Sequence, residues 1–79
     1  MIKKLSEPVN VTFSHQPLSL VWSSRDYRVS QIGLHHTFRD GRTLHHIYSV
    51  VAGNLFFRLN LNTDSLHWTL EEVSDGLPD

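Results

Sequence analysis

The chain has 79 residues, which is one domain near the lower size limit for independent folding. It has no cysteine, so neither a disulfide nor a thiolate zinc site can supplement the core, which rests on the 39% hydrophobic residues. A net charge of -1, from seven basic and eight acidic residues, lacks the basic excess of a dedicated nucleic-acid binder.

Lys3 and Lys4 are followed by Ser6, Glu7 and Pro8, so the apolar run of a signal peptide is missing. No stretch approaches the roughly 18 apolar residues of a membrane span. These features predict a cytoplasmic protein with no membrane partner. The ordered core is expected over about residues 8–75 of a single 1–79 domain, with a turn of helix or nothing before it.

Period-two alternation dominates from there on. Val9, Val11 and Phe13 alternate with Asn10 and Thr12. Leu18 and Leu20 follow around Ser19, then Tyr27 and Val29 around Arg28. A two-residue turn at Ser23-Ser24 sets Leu20 opposite Tyr27 and Leu18 opposite Val29, although serine is poor chemistry for a primed turn. Ile32, Leu34 and Phe38 then fall out of phase with Tyr27 and Val29, which predicts a bulge near Ser30-Gln31.

The next hairpin carries two histidine doublets, His35-His36 and His45-His46, on either side of Asp40-Gly41. A two-residue loop at Asp40-Gly41 sets His36 against His45 and His35 against His46. A three-residue loop, Asp40 to Arg42, sets His36 against His46, Leu34 against Tyr48, Ile32 against Val50 and Phe38 against Leu44. The second register is preferred because it gathers the apolar residues.

Gly53-Asn54 predicts the following turn, with Val50 opposite Phe57 and Tyr48 opposite Leu59. A four-residue loop over 62–65 then places Leu61 against Leu66, Leu59 against Trp68 and Phe57 against Leu70. One face collects Tyr48, Val50, Phe57, Leu59, Trp68 and Leu70, and cross-strand pairs of this kind hold a sheet together. A second phase slip lies between Leu70 and Val73. The predicted fold class is all-β, a small bent antiparallel meander of about six strands, a barrel or half-barrel, SH3-like in size.

The spacing Trp22-Ser-Ser-Arg25-Asp-Tyr27-Arg-Val29 is distinctive. So is the later set of Tyr48-Ser-Val50, Gly53, Phe57, Leu59, Trp68-Thr-Leu70, Val73 and Asp75. Together they resemble a family of small bacterial all-β domains of unknown function, frequent in actinobacteria. The resemblance covers about residues 8–75. Members accompany genes of Y-family DNA polymerases, which implies a DNA-repair accessory role and supplies no catalytic residues. The chain has Ser23-Ser24 where the family often has Arg-Gly, and Ser49 where it often has a basic residue. Both changes remove positive charge or turn chemistry.

No Gly-x-Ser-x-Gly elbow, paired acid and base, or glycine-rich phosphate loop is visible, so no enzyme activity and no cofactor are expected. The leading expectation is a non-enzymatic binding or adaptor module with a protein partner, acting as a monomer or homodimer. The first alternative is single-stranded nucleic-acid contact, by stacking on Phe56 with Arg58 and Arg28, extended by Arg39 and Arg42. The second is a metal site on His36 and His46, which needs a third ligand from elsewhere. The acidic residues gather late, at Glu71, Glu72, Asp75 and Asp79.

Overall fold

A computed structural model gives the fold of residues 1–77, so Asp79 lies outside the described residues. Six antiparallel strands form a closed barrel in sequence order: β1 (Ile2–Ser14), β2 (Gln16–Trp22), β3 (Arg25–Asp40), β4 (Thr43–Ala52), β5 (Leu55–Asn62) and β6 (His67–Ser74). Two long strands make closure possible. β1 pairs with β6 through Val9 and with β2 from Asn10. β3 pairs with β2 over Arg25–Arg28 and with β4 from Val29 onward.

Alternation builds the core as expected on the central strands. Tyr48 pairs with Leu59 and Val50 with Phe57 across the Gly53-Asn54 turn. Gly53 has φ 61° while Asn54 does not have positive φ, the signature of a type II′ turn. Leu20 pairs with Tyr27 across Ser23-Ser24. Val9, Leu20, Tyr48, Val50, Ala52, Phe57, Leu59, Leu70 and Val73 form the buried cluster. Aromatic rings plug both ends. Trp22, Tyr27 and Phe57 sit together at one, with centroids 5.0–6.4 Å apart. Phe13, Tyr48 and Trp68 sit at the other, 5.7–6.1 Å apart. The expected bulges at Ser30 and between Leu70 and Val73 are both present.

Four expectations are corrected. The first strand starts at Ile2, since Ile2, Lys3 and Lys4 pair with Ser74, Val73 and Glu72 and close the barrel. The Leu18–Val29 pair does not form, because β2 meets β3 only as far as Ser19–Arg28 and the register slips at Leu18. The β5–β6 loop is Thr63–Leu66, which moves the register by two residues and pairs Leu61 with Trp68 and Leu59 with Leu70. Asn62 drives that choice: its Oδ1 accepts from the backbone N–H of Asp64 and Ser65, and its carbonyl accepts from Leu66. Leu66 is left 70% exposed at φ 61°.

The fourth correction concerns the histidine hairpin. Its turn is Gly41-Arg42, with Asp40 paired to Thr43, so neither expected loop forms. Gly41 takes φ 61° at the first central position, again the type II′ arrangement that glycine permits. A second bulge at Gly33 then reverses the phase. Ile32 still pairs with Val50, but Leu34 pairs with Ser49 and Phe38 with His45 on the outer face.

Candidate interaction surface: the β3–β4 hairpin and the barrel mouth

The double phase slip in β3 decides which histidines meet. His35 pairs with Tyr48, His36 with Ile47, and Thr37 with His46. His36 and His46 therefore lie on opposite faces, and the metal pair expected from the sequence is not assembled. His35 and His46 share the inner face instead. Their rings are stacked 5.0 Å apart, with His35 Nε2 2.8 Å from His46 Nδ1. One nitrogen donates and the other accepts, so the contact holds a single proton. His35 also lies flat on Tyr48, at 4.2 Å and 6°.

This stack adjoins Phe13 and Trp68, so five rings line the barrel mouth. His35 is exposed as a residue, yet the flanking rings strip water from its faces. That desolvation holds its pKa below the ordinary histidine value, with smaller contributions from the charges of His46 and His36. Burial raises the Tyr48 phenol above its ordinary value. Described residues hold no group of three or more His, Cys, Asp or Glu arranged for a metal ion.

The outer face is organised differently. Phe38 stacks on His45 at 4.8 Å and 3°. The amide oxygen of Asn60 accepts from His45 Nδ1 at 2.8 Å, and its nitrogen donates to Glu71 Oε2 at 2.8 Å. Arg58 Nε donates to Glu71 Oε1 at 3.3 Å. The outward-facing Ile47 is only 1% exposed. Glu71 reaches both groups because the β6 bulge adds a carboxylate beside Glu72.

The five residues proposed from sequence for nucleic-acid contact do not converge. Phe56 is 48% exposed and shares the outer face of β5 with Arg58. Arg58, however, is paired with Glu71 and stands opposite Glu72, and the groove of about 260 Å³ beside Phe56 has Glu72 in its wall. Arg28 lies on the β2–β3 segment next to Ser19. Arg39 and Arg42 sit at the far tip of the β3–β4 hairpin, with Arg39 Nη1 donating to the Arg42 carbonyl at 3.5 Å. Eleven residue steps along the strand separate Arg28 from Arg39, a span of roughly 36 Å if straight.

What the structure presents most openly is the distal half of β3. Every residue from Gly33 to Asp40 is exposed, and its strand pairing is to β4 alone. The support behind it is firm. β4 continues into β5 as far as His45–Asn62. Thr63 donates to the Leu44 carbonyl through both N–H and hydroxyl, and Thr43 Oγ1 donates to Asp64 Oδ2 at 2.7 Å. Leu34 and Phe38, 54% and 43% exposed, project from this edge. Sequence reasoning assigned both to the core, because the slip at Gly33 left no periodic trace beyond the glycine. The ring cluster at the mouth was closer to hand, since Tyr48 and His46 lie on one face of the same strand.

No family model matches the chain, and neither a curated protein nor a solved structure matches it.

Proposed function

We propose that this domain is a non-enzymatic binding module, an adaptor that recognises a protein partner through the distal half of its β3–β4 hairpin. One observation carries the reading: a rigidly backed strand edge, exposed from Gly33 to Asp40, presents two apolar side chains, Leu34 and Phe38. Solvent-facing edges of this kind template the addition of another strand, with the backbone supplying affinity and alternate side chains supplying selectivity. Nucleic-acid contact is the weaker reading, because Arg58 is offset by Glu71 and the other arginines are dispersed. A DNA-repair or polymerase-associated setting is the context implied by the family resemblance.

The test compares capture from a host lysate by the wild-type chain and by a Leu34→Asp/Phe38→Asp double variant. A partner band retained by the first and lost with the second supports the reading. A band indifferent to the substitutions removes the hairpin from the contact. Fluorescence polarisation with short single-stranded DNA is the second arm. A salt-dependent signal abolished by Arg58→Ala replaces the adaptor reading with nucleic-acid contact.

A further inference from the structure

The edge of β3 is self-complementary, and this narrows the class of partner. The two-residue Gly41-Arg42 turn makes Asp40–Thr43 the closing hydrogen-bonded pair of the hairpin. By alternation, Arg39, Thr37 and His35 turn their N–H and C=O groups away from β4. The close His35–Tyr48 stack agrees, since non-hydrogen-bonded pairs bring side chains nearest together.

We infer that this edge pairs antiparallel with the same edge of a second copy, about a two-fold axis through His36. The inference rests on the reading of the distal β3 edge as the contact surface. In this register Leu34 meets the second copy's Phe38, twice by symmetry, on the outer face. His35 meets Thr37, and Arg39 meets Gly33, which has no side chain to obstruct it. The residues with outward-turned backbone fall opposite one another, as an antiparallel ladder requires. Neighbouring registers are poorer: an axis through Thr37 sets Leu34 against Asp40, and an axis through His35 sets Leu34 against His36.

Charge does not oppose the pairing. Arg39 is the only Lys, Arg, Asp or Glu from Gly33 to Arg39, and the two-fold axis holds its copies apart at opposite ends of the ladder. Natural edges are blunted by lysine, proline or bulges. Here the bulge at Ser30 precedes the segment and the one at Gly33 is confined to its first residue, which leaves Leu34–Asp40 in unbroken register with β4. Seven residues per copy make a small interface, at the low end for specific association, so the dimer is a weak, concentration-dependent one.

Sedimentation equilibrium from about 10 µM to about 1 mM spans the range suited to such an interface. The mass is expected to rise from 9.1 kDa towards twice that value. Thr37→Pro deletes only an outward N–H and should hold the chain at monomer mass with an unchanged far-ultraviolet circular dichroism spectrum. Leu34→Lys, at an exposed side chain, should do the same should the proline variant misfold. The chain has no cysteine, so His36→Cys should cross-link to itself on mild oxidation faster than Thr37→Cys or His35→Cys. Monomer mass throughout, a dimer indifferent to both edge variants, or fastest cross-linking at 35 or 37 overturns the inference. A monomer that still captures a partner through Leu34 and Phe38 leaves the adaptor reading standing and the self-pairing refuted.

Discussion

Ser23 and Ser24 occupy φ of 53° and 63°, the left-handed pair that a type I′ turn demands. Neither residue suits it, since β-carbons clash there and asparagine or glycine is preferred. The pairs on either side, Trp22–Arg25 and Leu20–Tyr27, enforce the turn regardless. Relief of that strain predicts that Ser23→Asn/Ser24→Gly stabilises the protein by roughly 1 kcal/mol, a rise in Tm of about 4–8 °C for a chain this size. Calorimetry that shows no rise refutes the strain. Leu66 is a parallel case, with φ 61° and a side chain that is mostly in water, so Leu66→Gly should also raise Tm. In the core the sign reverses. Leu59 is fully buried between Tyr48 and Leu70, and Leu59→Ala should cost about 2–5 kcal/mol in urea unfolding.

At the scale of the element, legibility follows the number of constraints on each strand. β4 and β5 are paired on both sides, so period two and the Gly53-Asn54 turn left one workable register, and that register is the observed one. β3 beyond Val29 is paired on one side only. Its distal half is exposed on both faces, and alternation carries no information where neither face is buried. The slip at Gly33 reversed the phase set at Ser30, so Leu34 and Phe38 turned outward and His35 rather than His36 came to His46. That contact carries a pH dependence of definite sign. The His35 pKa is lowered in the folded state, so the unfolded chain binds the proton more tightly. Stability is complete above the unfolded value of about 6.5 and falls as pH drops from there through the lowered folded value. Thermal unfolding at pH 7.5 and 5 should show a loss of Tm that shrinks in His35→Gln. An equal loss in the variant means that another group sets the slope.

The whole molecule depends on a seam that the sequence pattern did not announce. Residues Ile2 to Glu7 alternate poorly, with two lysines, a serine and a glutamate around Leu5, so they read as a leader to the strand at Val9. Their role is decided by partners some sixty or more positions away, which no local period records. Ile2 through Val9 pair with Ser74 back to Trp68, Leu5 packs on the core, and Glu7 Oε2 accepts from Trp22 Nε1 at 2.9 Å. The Met1 amino group donates to Asp75 Oδ1 at 2.5 Å and holds that carboxylate below its ordinary pKa. Removal of residues 1–7 therefore opens the barrel on one side. It strips the Leu70–Ser74 part of β6 of one neighbour, uncovers Val73 and leaves the indole of Trp22 without its acceptor. A chain of 79 residues has a total stability on the order of 4–12 kcal/mol, so the loss of one ladder and its apolar cover is a large fraction of it. The truncated chain should unfold at less than half the urea midpoint of the intact one, with Trp22 emission shifted towards that of the unfolded state. The paired strands β4 and β5 should remain the slowest part to exchange amide hydrogens, because their neighbours survive the cut. Coincident midpoints would show that β2 through β6 close without the seam. In the intact chain the same topology predicts folding on the slow, millisecond-to-second scale of non-local β proteins, since the last contacts to form join the two ends of the chain. A stopped-flow refolding phase in microseconds would contradict that order of assembly.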